Sequence, residues 1–287
     1  MSVYLQLLAT TFAWAATFHI AKYTVSVMPP LAAAIWRFAI GAGVLIPWLL
    51  WREGADWRGL RRNACALLFM GVVGILGFNL GMFYGLQETS AINAALIMAF
   101  NPALTLALAA LLGGDHISRG RTLGMAVAVT GVGVVVTRGS WAVLAGLKLA
   151  RGDLWLLAGS FAWSVYSVVP RRFITGLGAS QITASTVLIG TLAMIATAAL
   201  GNPVALSLPP SAAWSSLLFM GVIASACCYL WWNSGVLRLG PSRAAVFMNL
   251  VPVFTVLIGL FQGQSLSAAQ AVGAVLVVCG VLWATRG

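Results

Sequence analysis

The chain has 287 residues, of which 61% are apolar and only 7% charged, with a formal net charge of +11. An average soluble domain is roughly 25% charged, so this composition excludes a water-soluble fold and points to lipid. The sixteen Lys and Arg are scattered over the loops rather than gathered on one face, which excludes nucleic-acid binding and leaves membrane topology as their explanation.

A spanning helix needs about 20 mostly apolar residues. Taken in chain order, ten such runs are predicted, at 3–25, 31–51, 64–86, 91–112, 121–137, 153–174, 181–200, 213–236, 243–262 and 267–285. The runs are continuous and Ala/Leu-rich, unlike the weak alternating segments of a β-barrel, so the expected fold is an all-α integral membrane protein. MSVYLQLL has no basic stretch and runs directly into the first span, so it reads as helix rather than as a cleaved signal. Arg52, Arg58, Arg61, Arg62, Arg119, Arg121, Arg171, Arg172, Arg238, Arg243 and Arg286 fall on one side if both termini are inside. The other side then holds Arg138, Lys148 and Arg151, with Lys22 and Arg37 near its helix ends. Cytoplasmic loops carry the excess of Lys and Arg, which places both termini in the cytoplasm. Cys65, Cys227, Cys228 and Cys279 show no metal-binding or disulfide spacing and read as packing residues.

The hexamer LLFMGV occurs at 67–72 and again at 217–222, 150 residues apart. In the same register Gly85 matches Gly235, Ala94 matches Ala244, Ala95 matches Ala245, Met98 matches Met248, Pro102 matches Pro252 and Thr105 matches Thr255. With a shift of one residue, FAW at 12–14 matches 161–163, Gly124 matches Gly273 and Gly131 matches Gly280. The chain is therefore read as two homologous five-helix units, 1–138 and 152–287, joined by the loop 139–151. Five is odd, so a chain that threads the membrane continuously makes the second unit run opposite to the first. The charges agree: the linker after the second span carries four Arg while its counterpart after the seventh carries none. Inverted repeats of this kind build secondary transporters around a central cavity at the repeat interface.

A Trp early in the first span, Lys22 at its end, Pro30 followed by Arg37 in the second, a mid-helix Pro, then GDHIS from Gly114 and GQSLS from Gly263, resemble the EamA-type repeat of the drug/metabolite transporter superfamily. The resemblance covers the whole chain, twice. Among its members the chain is most similar to the YddG-like exporters of aromatic and other neutral amino acids. That resemblance implies a multi-pass transporter of the bacterial inner membrane and an outward direction of transport. Asp115 and Gln264 depart from the family, which often has Glu there.

Pro102 and Pro252 fall near the middle of the fourth and ninth spans. A proline removes one helical hydrogen bond and crowds the carbonyl four residues back, here that of Met98 and of Met248. Both prolines are expected to act as hinges, because paired helix interruptions point to a transporter's site; a kink that serves packing alone is the other reading. On the eighth span Tyr229, Trp232 and Asn233 share one face by their i, i+3, i+4 spacing. The equivalent face of the third span holds Asn79, Met82 and Phe83. Trp14 and Trp163 form a further symmetric pair, Asn101 precedes Pro102, and Asn249 lies one turn before Pro252. An amide at this depth is costly when unpaired, so each Asn either bonds a neighbouring helix or faces water and substrate. The candidate substrate-binding set is Trp14, His19, Asn79, Met82, Phe83, Met98, Asn101, Trp163, Tyr229, Trp232, Asn233 and Met248. Gly77, Gly81 and Gly85, at four-residue intervals, read as a stripe for close helix packing.

The acids Glu53, Asp56, Glu88, Asp115 and Asp153 all fall in loops or at helix ends. Of the ionisable groups that commonly relay protons through a membrane, only His19 remains at depth, to bond substrate, shuttle a proton or pack; His116 belongs to a loop. Lys22 and Arg37 either bind a carboxylate or serve the membrane, by snorkelling to headgroups or pairing with Glu88. No nucleophile–base pair, metal constellation or cofactor motif is present, so an enzyme is not expected. The expected function is export of neutral or aromatic amino acids, or similar small metabolites, by alternating access. The alternative is export of lipophilic or organic cations, whose charge aromatic faces receive, while a channel is harder to exclude. The expected partners are that small molecule and the lipid bilayer, with no nucleic acid, and the chain is expected to act as a monomer.

Overall fold

A computed structural model describes residues 1–89, 91–112, 118–201 and 206–286. Asp115 and His116 lie outside the described residues, as does the side chain of Lys22. Ten long helices follow in order: α1 (Val3–Val27), α2 (Pro30–Arg52), α3 (Ala64–Glu88), α4 (Asn93–Leu111), α5 (Arg119–Thr137), α6 (Arg151–Phe173), α7 (Ala179–Gly201), α8 (Ser211–Leu239), α9 (Pro241–Phe261) and α10 (Ala268–Arg286). Short helices Trp57–Arg62 and Trp141–Ala145 lie in two of the connections. Their first residues, Trp57 and Trp141, are exposed, as expected of aromatic anchors in the interfacial belt.

Local sequence sets the helix ends. The Ser2 and Ser118 hydroxyls accept the backbone N–H groups of Leu5 and Arg121, as N-caps do. Pro30 and Pro241 open α2 and α9, where a missing N–H costs nothing. α5 closes on Arg138 and Gly139, both in the left-handed region.

All but α6 are long and apolar enough to cross a bilayer by composition. α6 falls short because Asp153, Arg171 and Arg172 lie near its ends and Ser160, Ser164 and Ser167 line its middle. Those three serines are fully buried, since they lie on the face of α6 that packs on α3, α4 and α8, while Leu154, Trp155, Leu157 and Phe161 stay exposed. A helix face shielded from lipid by its neighbours can carry polar groups that a lipid-facing one cannot.

The extensive contacts join the two units rather than the helices within one. α1 packs on α8 and α9, α2 on α7 and α8, α3 on α6 and α7, α4 on α6, and α5 on α10. Exchanging the units turns α1–α8 into α6–α3, α1–α9 into α6–α4 and α2–α8 into α7–α3, while α2–α7 and α5–α10 map onto themselves. Glycines repeat the same symmetry at atomic scale. A Cβ added at Gly85 would lie 2.6 Å from Leu156, and one at Gly235 2.7 Å from Leu7. A Cβ at Gly131 would sit 2.8 Å from the Gly273 carbonyl, and one at Gly273 2.8 Å from the Gly131 carbonyl. The stripe expected in α3 behaves as read: Gly81 lies against the α6 backbone at Gly159 and Trp155.

The cysteines are corrected in part. Cys228 is buried with its thiol toward the Thr10 carbonyl at 3.9 Å, whereas Cys65 and Cys279 are exposed.

One feature of the repeat is not visible in its letters. Inside each LLFMGV the helix widens from α to π geometry, over Met70–Gly77 in α3 and over Phe219–Cys227 in α8. A π segment inserts a residue into the helical ladder and disturbs its carbonyl pairing. Here a side-chain donor reaches a carbonyl in each: Asn79 Nδ2 donates to the Ile75 carbonyl at 2.7 Å and Trp14 Nε1 to the Ala224 carbonyl at 3.0 Å. Gly71 and Gly221 lie in the two segments and face α7 and α2 respectively.

The α5–α10 contact gives a direct prediction. Gly131→Ala places its methyl 2.7 Å from the Val277 nitrogen, so the backbones must part at about 1–3 kcal/mol. Gly43 has no atom within 4 Å of an added Cβ. Thermal unfolding of the detergent-solubilised protein is expected to fall for Gly131→Ala and to hold for Gly43→Ala.

Candidate functional site

The site is built where α1, α2, α6 and α8 meet. Trp14 from α1, Trp163 and Tyr166 from α6, and Tyr229 and Trp232 from α8 form one aromatic cluster. Trp14 meets Trp163 edge-to-face at 5.3 Å, Trp163 meets Tyr229 at 5.6 Å and Trp232 at 5.4 Å, and Tyr166 stacks on Trp163 at 5.4 Å. Phe38 of α2 and Phe78 of α3 flank it, 5.6 Å from Tyr229 and 5.3 Å from Trp163. Edge-to-face and offset pairs at these separations add about 0.5–1.5 kcal/mol each beyond area burial. The rings bridge the two units, so movement of one unit against the other must rearrange them.

Polar groups lie behind the rings. Trp232 Nε1 donates to Ser167 Oγ at 3.2 Å. Asn233 Nδ2 donates to the Tyr166 hydroxyl at 2.8 Å and to Thr183 Oγ1 at 2.9 Å. Asn101 Nδ2 donates to the Ser160 carbonyl at 2.9 Å, and Thr105 Oγ1 to Ser164 Oγ at 3.1 Å. Trp163 Nε1, the Oδ1 atoms of Asn101 and Asn233, and both amide atoms of Asn249 are buried without a hydrogen-bond partner. Each such group costs about 1–3 kcal/mol.

Both prolines sit at real breaks. α4 is interrupted at Phe100, between a first segment that ends at Ala99 and a second, Asn101–Leu111, with Pro102 in the first turn of the second. α9 narrows to a 3-10 turn at Phe247–Asn249 just before Pro252.

The expected residues divide into groups. Trp14, Trp163, Tyr229 and Trp232 come together in the cluster, and Asn233 supports it. Met82, Phe83, Met98 and Met248 are half-buried, and Phe83 and Met248 pack on the core. His19 is half-buried on α1, its Nε2 3.2 Å from the Thr255 carbonyl. Asn101 Nδ2 bonds the neighbouring helix α6, as the first alternative has it, whereas Asn79 Nδ2 takes neither expected course and bonds a carbonyl of its own helix.

One ring lies outside the set expected from sequence. Tyr166 belongs to the cluster, and its position one turn beyond Trp163 was the available signal. Arg37, expected either to bind a carboxylate or to serve the membrane by snorkelling or pairing with Glu88, donates its Nε–H to Ser225 Oγ of α8 at 2.8 Å. Among the described residues no group of His, Cys, Asp and Glu is arranged to hold a metal ion.

The EamA-like transporter family model matches this chain twice, over residues 1–137 and 150–286. The chain belongs to the EamA-like transporter family. This EamA transporter is 38% identical to the uncharacterized transporter YyaM of Bacillus subtilis (strain 168), over 99% of its own length and 94% of the relative's. It is 23% identical to a probable terminal-alkyne amino-acid exporter of Streptantibioticus cattleyicolor, over 78% and 74% of the two chains. A crystal structure matches it with a TM-score of 0.83 at 24% identity, over 99% of this chain and 96% of that one, which shows the shared fold. The family bears out the transporter reading taken from the repeat.

The two tryptophans of the EamA transporter give the second prediction. Trp14→Phe keeps a ring but loses the bond to the Ala224 carbonyl, whereas Trp163→Phe loses an N–H that had no partner. In chemical unfolding Trp14→Phe is expected to be the more destabilised, by about 1 kcal/mol.

Proposed function

We propose that this EamA transporter exports neutral or aromatic amino acids, or similar small metabolites, across the bacterial inner membrane by alternating access. The two units then cross the membrane in opposite senses, with both termini in the cytoplasm, and the chain works as a monomer. The observation that carries the reading is the pair of helix breaks, at Phe100–Pro102 and Phe247–Pro252, in equivalent helices of the two units, together with an aromatic cluster that both units share. Equivalent interruptions in two repeats let the units rock about a common site, with Pro102 and Pro252 as hinges. Substrate contacts fall to the cluster rings and to the half-buried His19, Met82, Phe83, Met98 and Met248. No catalytic step belongs to this reading.

The walls favour an apolar body. Glu53 and Asp56 lie in the α2–α3 linker, Glu88 ends α3, and Asp153, in the first turn of α6, is held by Thr89, Asn93 and the Ala150 N–H. Rings with no carboxylate among them suit a solute with an apolar body. The relative named as a probable amino-acid exporter supports the same substrate class.

Alternating access also needs contacts that open and close at the two ends. At one end Asn63 and Thr175 exchange hydrogen bonds, the Thr175 carbonyl accepting from Asn63 Nδ2 at 3.0 Å and its N–H donating to Asn63 Oδ1 at 3.1 Å. Gln181 Nε2 donates to the Gly54 carbonyl beside them. At the other end Asp153 accepts from Thr89 and Asn93. Both sets join one unit to the other.

Purified protein in liposomes tests the proposal. Labelled Phe, Trp and Thr are expected to move, and Pro102→Ala with Pro252→Ala is expected to slow transport more than it weakens binding. Movement of a lipophilic cation with none of the three amino acids would hand the assignment to drug export. If an imposed pH gradient drives accumulation, His19→Ala is expected to abolish that drive, and its persistence in the variant would assign His19 to packing.

A further inference from the structure

Arg37 stands two turns into α2, a spanning helix, half-buried. Its Nε is held by Ser225 in the π segment of α8, and its guanidinium lies over the Phe38 ring at 4.7 Å. It pairs with no carboxylate among the described residues. A charge at this depth is costly and marks a binding or transport path more often than a packing site. Guanidinium offers five donors in a rigid fork that matches a carboxylate with two parallel bonds. Ser225 takes the Nε–H and leaves the two terminal NH2 groups.

The surroundings fix what those groups serve. Phe38 lies 5.6 Å from Tyr229, and Tyr229 belongs to the cluster with Trp14 and Trp163, so the fork borders the aromatic wall. The pseudo-symmetric counterpart, read through Gly41 and Gly190, is Thr186, whose hydroxyl bonds the Ile182 carbonyl and lies 3.3 Å from the Tyr166 hydroxyl. The mate of Ser225 is Ile75. The cluster therefore has a cation on one flank and neutral hydroxyls with the unpartnered Asn233 Oδ1 on the other. Here the two copies differ in charge beside the rings.

We propose that Arg37 is the carboxylate-receiving residue of the transport site, selecting solutes with an anionic end and an apolar body. The proposal rests on the amino-acid reading above and deepens it: an amino acid would dock its carboxylate on Arg37 and its side chain on the rings. It also sets the site against organic cations, which the guanidinium repels.

The test uses the full chain in detergent and its own tryptophan fluorescence, titrated with phenylacetate, phenylacetamide and phenethylamine, which share a ring and differ in charge. Phenylacetate is expected to bind roughly tenfold or more tighter than the other two, as one charge-assisted bidentate pair allows. Arg37→Gln is expected to erase that preference while still binding phenylacetamide, and Arg37→Lys to restore part of it. Thermal unfolding accompanies each variant, so a collapsed fold is not read as lost recognition. Equal binding of phenylacetate and phenylacetamide by the wild-type protein overturns the proposal without recourse to any variant. So does an undiminished preference in Arg37→Gln, or a parallel loss of both ligands in a folded variant, which would make Arg37 a strut between α2 and α8. Arg37-dependent binding of phenylacetate with no amino-acid transport in liposomes would uphold this inference and sink the amino-acid reading. Transport of Phe with no preference for phenylacetate would do the reverse.

Discussion

Backbone-to-backbone contact between the two units is the constraint from which the rest of this structure follows. In a bilayer, apolar side chains gain little by leaving lipid for one another, so helices associate through close packing and buried polar bonds. Gly131 against Gly273, Gly124 against Gly280, and Gly81 against Gly159 bring backbones within reach across the unit boundary. Because the extensive contacts run between units, each five-helix half completes the other.

That exchange decides where polarity is tolerated. α6 packs on helices of both units, and it alone of the ten is too polar to read as a span by composition. Its serines accept Asn101 and Trp232 and steady the ring cluster from behind. The symmetric α1 supplies Trp14, whose indole N–H anchors the π segment of α8. Rigidity of the cluster thus comes from hydrogen bonds that neighbouring helices provide.

Near-symmetry of the units also frames function. Where the copies agree, at LLFMGV, at the glycines and at the prolines, the residues build the architecture. Where they disagree, the site acquires direction: Asn79 bonds its own helix while Tyr229, its counterpart, joins the rings, and Arg37 faces Ser225 where the other unit has Thr186 and Ile75. A substrate whose ends differ in charge suits a site whose flanks differ in charge.

Sequence by itself determined the class of fold, the ten helices, the repeat with its offset of 150, the two breaks and most of the aromatic residues. All of these follow from composition, hydrophobic run length and proline chemistry, which are properties of the chain taken locally. Tertiary structure decided which amides were already satisfied, that Tyr166 completes the cluster, that the hexamers lie on π turns, and that Arg37 bonds Ser225 rather than Glu88. Those outcomes depend on which helix stands opposite which. Residues 188 positions apart, such as Arg37 and Ser225, meet only after two units interlock, and no local pattern in either helix records the meeting.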